Sequence, residues 1–165
     1  MYTNRETMSS LDELLEPVRD QMTAVESRLR ESLSEEHNAL TAATQHLLDS
    51  GGKRVRPAVA LLSAGLFNAD DDHAVSLAAA VEMLHTATLV HDDLIDGALL
   101  RRGIPTLNSK WSPDATVLTG DYLFARAASF AAQTNSVRVM NLFAETLMVV
   151  VNGEIRQKFA SAASL

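Results

Sequence analysis

Residues 73–96, with the sequence HAVSLAAAVEMLHTATLVHDDLID, decide the fold of this chain. Ala, Leu, Glu and Met are strong helix formers, so the stretch predicts one long helix from about His73 through Asp96. The acidic residues before it, Asn68 to Asp72, suit a loop and an N-cap. Helix formers also dominate elsewhere, β-branched runs are short, and the 165 residues hold only seven Gly and four Pro. The sequence therefore predicts an all-α fold in a single domain, residues 1–165.

The rest of the chain predicts five more helices. In the first, apolar side chains recur at three- and four-residue spacings, and Pro17 marks a kink or a delayed start. A Ser-Gly-Gly turn closes the second, and a Ser-Pro-Asp sequence after the loop-like residues 97–113 opens the fifth of the six helices. The predicted bounds are Leu11–Ser34, His37–Leu48, Pro57–Leu66, Asp114–Thr134 and Val137–Phe159.

Composition and charge exclude several classes of function. The chain has no Cys, which removes disulfides, thiolate metal sites and cysteine nucleophiles, and which suits a reducing cytoplasm. Its net charge of −7 repels nucleic acid, so any anion site must be a local cluster of Lys and Arg. No uninterrupted apolar run approaches the ~20 residues of a membrane span, and residues 1–12 are too polar for a signal sequence. We therefore expect a cytoplasmic protein without a transmembrane segment.

Three aspartates close the long helix. At about 100° per residue, Asp92 and Asp96 lie roughly 40° apart on the helix surface and one turn apart along it, with Asp93 beside them. Such hard oxygen ligands suit Mg²⁺, which commonly bridges a few protein carboxylates to substrate phosphates. The alternative is a solvated acidic helix end, but negative charges there are opposed by the helix dipole. That conflict points to function, and we interpret Asp92, Asp93 and Asp96 as a magnesium site for a diphosphate.

Two histidines lie near these carboxylates. His85 stands seven residues before Asp92 and eleven before Asp96, which places the three on one stripe of the helix. A histidine of the core, satisfied by a backbone carbonyl, is the simpler alternative. His91 points elsewhere and is interpreted as a structural or supporting residue.

A second cluster is GGKRVRP, residues 51–57. Gly51 and Gly52 permit a tight turn with free backbone N–H groups, Lys53 and Arg56 supply cations, and Pro57 suits the first turn of a helix. This pattern is typical of a diphosphate cradle, although it is not a P-loop. An ordinary basic helix start is the alternative, yet cations at that end of a helix are unfavourable without an anion.

A third cluster is Arg101-Arg102-Gly103, five residues past the last aspartate. Paired guanidinium groups offer bidentate donors to phosphate oxygens, and a surface ion pair with Asp96 is the alternative. One acidic metal site and two cationic sites together indicate two anionic substrates that meet around magnesium. We interpret Gly120-Asp121 and Gly153-Glu154, which interrupt apolar helices, as packing features.

In this order the motifs resemble the trans-type polyprenyl diphosphate synthases. The resemblance rests on GGKRVRP at 51–57, HTATLVHDDLIDGALLRRG at 85–103, PTLN at 105–108, GDYLFARA at 120–127 and GE at 153–154. It implies an antiparallel helical bundle of the isoprenoid synthase type, usually a homodimer, that condenses isopentenyl diphosphate with an allylic diphosphate. Magnesium and cations would stabilise the departing diphosphate, the isopentenyl double bond would attack the allylic carbocation-like centre, and a proton would leave.

The resemblance also implies roles for single residues. Lys53, Arg56 and His85 would hold isopentenyl diphosphate, with help from Arg102. Asp92, Asp93 and Asp96 would hold Mg²⁺ on the allylic diphosphate, which Arg101 would contact. Product length in the family is limited by the helix wall beneath the first aspartate motif, where small Ala87 and Thr88 predict a medium-to-long product, above geranylgeranyl length.

The chain departs from the family in length. Members are roughly twice as long and carry a second aspartate-rich motif, whereas no Asp follows Glu154 here. We therefore expect the N-terminal half of a synthase, as a truncation, fragment or incomplete sequence, or else a natural short subunit that needs a partner chain. Either should expose apolar helix faces.

The sequence leaves three other functions to consider. A non-catalytic regulatory or partner subunit of a complete synthase is the main alternative. A terpene cyclase is disfavoured because it needs no second diphosphate site, which would leave GGKRVRP without a purpose. A purely structural helical protein leaves all three charged clusters unexplained.

Overall fold

The computed structural model describes residues 10–31, 38–49 and 52–162. Within these ranges the fold is all-α, as predicted, apart from one short hairpin and two 3-10 turns. The α-helices are α1 Ser10–Leu15, α2 Arg19–Glu31, α3 Asn38–Asp49, α4 Val55–Leu66, α5 Asp71–Ile95, α6 Pro113–Ala132 and α7 Val137–Ala162. The 3-10 turns are Glu16–Val18 and Leu107–Ser109, and the strands are β1 Leu100–Arg101 and β2 Ile104–Pro105.

The long helix α5 lies at the centre and packs most extensively against α6, then against α4 and α2. Its middle is rich in alanine, and Ala78, Ala79, Ala80 and Ala87 are fully buried. Small side chains let neighbouring helices approach closely, while larger residues such as Met83, 1% exposed, fill the remaining space. Burial of one such side chain stabilises the fold by roughly 1.5–3 kcal/mol. The bundle is therefore built around α5.

Helix ends follow the sequence closely. The side chain of Asp70 caps α5 by accepting a hydrogen bond of 2.9 Å from the His73 amide, as the acidic loop predicts. Ser112 caps α6 in the same way, through the amide of Ala115 at 3.3 Å, with Pro113 in the first turn.

The predicted first helix is interrupted where its proline lies. Residues 16–18 form a 3-10 turn around Pro17, which has no N–H to donate, and α2 then continues to Glu31. The predicted continuation to Ser34 lies outside the described residues, as do His37, Ser50 and Gly51.

The predicted loop over residues 97–113 is partly wrong, because it contains a β-hairpin. Leu100 pairs with Pro105, and Arg101 with Ile104. Arg102 and Gly103 between them both have positive φ, +53° and +80°, as a two-residue type I′ turn requires. Thr106 ties the hairpin base to the end of α5, since its hydroxyl donates to the Ala98 carbonyl at 2.7 Å. The turn thus projects the two arginines from a defined scaffold.

Helix α7 contacts the bundle mainly through its first half. Phe143 belongs to the core, whereas residues 148–160 are all exposed. Large apolar side chains are among the exposed residues, in agreement with the prediction of uncovered helix faces: Met148, Val149, Val150, Val151, Ile155 and Phe159.

One described helix, α5, is long and apolar enough to cross a membrane by length and composition alone. Half of its most apolar window is buried among the other helices, and a core helix passes the same test. The absence of a transmembrane segment stays a prediction.

Candidate active site

A cavity of about 330 Å³ lies between α5, the start of α4 and the β-hairpin. It is lined by Arg56, His85, Asp93, Arg101 and Arg102, among others. An adjoining recess of about 320 Å³ adds Lys53 and shares Arg56, His85 and Arg102. We call the cavity and its recess the cationic cavity, because Lys and Arg outnumber the acidic side chains along its wall: Lys53, Arg54, Arg56, Arg101 and Arg102 face Glu82 and Asp93.

Three segments that are distant in sequence supply the predicted diphosphate-binding residues of this cavity. Lys53 precedes α4, and Arg56 lies in its first turn. Arg102 occupies the hairpin turn, and His85 projects from the middle of α5. The structure therefore brings together all four residues that were predicted to hold isopentenyl diphosphate.

The surroundings of His85 lower the pKa of its imidazole. Burial lowers its pKa from the ordinary value of 6.5, and the positive charge of Arg56 lowers it further. Arg101 and Arg102 act in the same direction, while Glu82 opposes them. A neutral imidazole still has one N–H to donate to an anion, so His85 adds a hydrogen-bond donor without an extra charge.

Asp93 lines the cationic cavity and forms an ion pair with Arg101. Its Oδ1 and Oδ2 accept hydrogen bonds from Arg101 Nε at 2.9 and 3.0 Å, and Nη2 lies 2.8 Å from Oδ1. The Asp93 side chain is 11% exposed, and its hydrogen bonds to Arg101 raise the pKa of that guanidinium. The ion pair weighed in the sequence thus exists, but it joins Arg101 to Asp93 rather than to Asp96.

Asp92 and Asp96 line a different cavity, of about 640 Å³, between α5, α6 and α7. Glu154 of α7 lies on the same wall, so we call this the acidic cavity. Burial raises the pKa of Asp92, and the nearby charges of Glu154, Asp96 and Asp93 raise it further, against the opposing effect of Arg101. Lys158 also lines this cavity, and its Nζ donates to the Ile95 carbonyl at 3.3 Å. Negative charge thus accumulates in a partly enclosed, largely apolar space.

The structure separates His85 from Asp92 and Asp96, which were predicted to lie on one stripe of α5. His85 lines the cationic cavity, whereas Asp92 and Asp96 line the acidic one, so the three do not share one wall. In the described part of the chain, no three His, Asp or Glu side chains converge into a metal cluster made by protein alone. The three aspartates therefore face two cavities.

The two residues predicted to form the chain-length wall also differ in position. Thr88 lines the acidic cavity, and its hydroxyl donates to the His85 carbonyl at 2.8 Å. Ala87 is fully buried in the core and does not line that cavity.

The Gly120-Asp121 motif is a packing feature, as predicted. A Cβ at Gly120 would overlap the His91 ring, so only glycine lets α6 approach α5 this closely. Asp121 Oδ1 lies 3.4 Å from His91 Nε2, and the Phe124 ring centroid lies 5.3 Å from that of His91. The glycine therefore seats a histidine next to Asp92.

The same interpretation of Gly153-Glu154 is wrong. A side chain at Gly153 would meet only open space, and Glu154 lines the acidic cavity. Glu154 is an exposed residue that contributes charge to the site rather than to packing.

Sequence reasoning missed Arg54. Its Nε donates to Glu26 at 2.5 Å, Nη1 to Glu82 at 2.9 Å and Nη2 to the Leu48 carbonyl at 3.3 Å. One signal was available, because Glu82 is an isolated charge in the alanine-rich middle of α5 and, being buried, needs a cationic partner.

Residues 37–164 match the family described as polyprenyl synthetase. The chain is 44% identical, over 138 residues, to heptaprenyl diphosphate synthase component 2 of Geobacillus stearothermophilus, and covers 43% of that protein and 84% of its own length. Decaprenyl diphosphate synthase of Rhodobacter capsulatus superposes with a TM-score of 0.86 at 42% identity, over 91% of this chain and 46% of that one. Polyprenyl synthase of Caulobacter crescentus, solved with calcium and isoprenyl diphosphate, superposes with a TM-score of 0.85 at 39% identity, over 90% and 45%. The chain thus spans somewhat less than half the length of these relatives.

Proposed function

The chain belongs to the polyprenyl synthetase family, and we propose that it carries two substrate sites of a trans-prenyltransferase. That enzyme would condense isopentenyl diphosphate with an allylic diphosphate to give a polyprenyl diphosphate. One observation carries the proposal: a cationic and an acidic cavity lie on two sides of the C-terminal half of α5. A condensation of two diphosphates needs two such sites next to each other.

The cationic cavity suits the diphosphate that is not cleaved. Lys53, Arg56 and Arg102 offer charge-assisted hydrogen bonds, and His85 offers one more donor. Without a metal ion, an excess of positive side chains is what a diphosphate needs for tight binding. We therefore assign isopentenyl diphosphate to this cavity.

The acidic cavity suits the allylic diphosphate with its metal ions. Mg²⁺ rarely has an all-protein cage; it takes one or two carboxylates, substrate phosphate oxygens and water. Asp92 and Asp96 fit that pattern, because they are hard oxygen donors on one wall without a cationic partner close enough to form an ion pair among the described residues. Bound there, magnesium would neutralise the charge that develops on the departing diphosphate.

Asp93 would act differently from its two neighbours in this site. Its fork with Arg101 holds a guanidinium on the wall of the cationic cavity, and the charge of that guanidinium also acts on Asp92 of the acidic cavity. From there Arg101 would stabilise the charge on a leaving diphosphate. The assignment of Asp93 as a direct metal ligand is part of the family pattern and stays a prediction.

The apolar wall of the acidic cavity suits the growing prenyl chain. Thr88, Phe124, Val151 and Ile155 line it, and Thr88 is small enough to leave the space beneath the aspartates open. The R. capsulatus relative is named a decaprenyl synthase and that of G. stearothermophilus a heptaprenyl synthase. We propose a product above geranylgeranyl length.

The exposed face of α7 indicates that more polypeptide completes the acidic cavity. We propose that a second helical half, in the same or a partner chain, covers it, and that the assembled enzyme is a cytoplasmic homodimer or hetero-oligomer. The term "component 2" in the name of one relative supports a multi-subunit option.

A complementation assay tests the proposal. The chain is incubated with farnesyl diphosphate, isopentenyl diphosphate and Mg²⁺, alone and with the C-terminal half of a related synthase, and products are resolved by length. We expect condensation only upon complementation, and none when Asp92 and Asp96 are both changed to Asn. If the chain instead changes the rate of a complete synthase and never supports condensation itself, it is a regulatory subunit.

A further inference from the structure

The GGKRVRP motif contains three cations, and the middle one, Arg54, lines the cationic cavity while its guanidinium is bound to protein acceptors. The Arg54 side chain is 16% exposed and lies between two carboxylates, Glu26 of α2 and Glu82 of α5. Its third bond reaches the Leu48 carbonyl near the end of α3. One side chain thus connects the segment before α4 to three other helices.

The backbone of Arg54 is also unusual. Its φ of +47° places it in the left-handed region, which is unfavourable for a residue with a Cβ. Arg54 is the residue directly before α4, and its carbonyl accepts the hydrogen bond of the Ala58 amide at 3.2 Å. The surrounding ion pairs must therefore hold a conformation that the sequence does not favour by itself.

The residues on either side of Arg54 are those assigned to the diphosphate. Lys53 and Arg56 are exposed and line the recess of the cationic cavity, together with the Glu82 to which Arg54 is bound. The positions of Lys53 and Arg56 in the recess depend on the backbone at residue 54, because both residues lie within two positions of it along the chain.

We propose that Arg54 is a positioning residue: its fork to Glu26 and Glu82 fixes the left-handed turn that aims Lys53 and Arg56 at the diphosphate. The inference rests on the proposed function of the cationic cavity. Nε, Nη1 and Nη2 of Arg54 each donate to a protein acceptor. A lysine cannot replace it, since one ammonium cannot reach acceptors on three helices in the planar geometry of a guanidinium.

The test separates positioning from stability. Arg54→Met alone leaves Glu82 buried without a partner and should destabilise the fold. The triple variant Arg54→Met, Glu26→Gln, Glu82→Met removes the whole charge cluster, and such replacements are often neutral for stability. The triple variant also gains one unit of positive charge, so simple electrostatics would tighten anion binding rather than weaken it.

Two measurements are made on the full chain. The exchange rate of the Ala58 amide, by NMR, reports the turn, with amides in the middle of α5 as the internal reference. Calorimetric titration with inorganic pyrophosphate, without metal, reports the cavity, with Lys53→Ala as the reference for lost binding. We expect the triple variant to keep its midpoint of unfolding, to exchange Ala58 about tenfold faster and to bind pyrophosphate about tenfold more weakly. Arg54→Lys should show the same loss of affinity.

Each outcome decides between specific claims. If the triple variant or Arg54→Lys binds pyrophosphate as tightly as the parent chain, or if Ala58 exchange is unchanged in the triple variant, Arg54 does not position the motif. If the parent chain itself binds no pyrophosphate, the assignment of the cavity fails instead, and the exchange of Ala58 alone decides whether Arg54 holds the turn.

Discussion

The two sides of α5 differ in how completely this chain builds them. The cationic cavity is bordered by α4, α5 and the hairpin, and two of its four arginines are held by acidic partners, Arg54 by Glu82 and Arg101 by Asp93. The acidic cavity is bordered by α7, whose residues 148–160 are all exposed. We therefore expect the first side to bind an anion in this chain alone, and we expect the metal-dependent chemistry proposed for the second side to need further polypeptide.

The largest expected effect is a loss of condensation activity without a loss of metal-free anion binding. Asp92→Asn with Asp96→Asn should lower the rate of complemented condensation by about a thousandfold, because metal stabilisation of the leaving diphosphate contributes several kcal/mol. Binding of pyrophosphate without metal should change by less than about twofold, since neither carboxylate lines the cationic cavity. Asp114→Asn, on the first turn of α6 and outside both cavities, is the matched control. A large loss of metal-free binding in the double variant would show that the two sides are one site.

A smaller effect concerns the contact of α5 and α6 beside the acidic cavity. Gly120→Ala should destabilise the chain by about 1–3 kcal/mol in urea unfolding, because the added methyl group overlaps the His91 ring. His91→Ala in the same chain should recover part of that loss by making room.

Gly65→Ala is the control for that substitution. Gly65 lies inside α4, and a Cβ there would meet nothing within 4 Å, so alanine should be neutral or stabilising by up to about 1 kcal/mol. Equal effects at Gly65 and Gly120 would mean that helix propensity, not the close approach to His91, decides the result.

The sequence predicted α5 well because its signals are local. Its helix formers fixed the element, and the acidic loop before it fixed the cap, with an error of two residues at the start. The hairpin was missed because each strand has only two residues, too few for an alternating pattern, although Arg102-Gly103 suits a type I′ turn.

The site was predicted less completely, because part of it depends on distant contacts. Both partners of Arg54 lie 28 residues away along the chain, so no spacing rule connects them. The division of the aspartates was accessible in principle, since adjacent residues point about 100° apart on a helix and Asp93 cannot share a face with Asp92. What could not be read from the sequence was which neighbouring element occupies each side.

The exposed face of α7 gives a prediction in which little should change. Met148→Ser with Val149→Ser should alter the free energy of unfolding by less than about 0.5 kcal/mol, because both side chains are more than half exposed. The same change at Met83, which is 1% exposed, should cost about 2–5 kcal/mol. Sedimentation should show weaker self-association of the α7 variant. A loss above about 1 kcal/mol in that variant would mean that α7 is already packed in the isolated chain, contrary to the comparison of the two sides.

The smallest expected effect is a change in the pKa of His85, which reports the positive potential of the cationic cavity. Burial and Arg56 lower its pKa in the folded chain, so NMR should find a value below the ordinary 6.5. The unfolded chain then takes up the proton first as the pH falls, and the folded state loses stability relative to it from about pH 6.5 downward. Arg56→Gln should raise the pKa of His85, whereas Lys158→Gln, at the acidic cavity, should leave it unchanged. A His85 that titrates above 6.5, or that responds to Lys158 and not to Arg56, would place it in the field of the acidic side, and the separation by α5 would not hold.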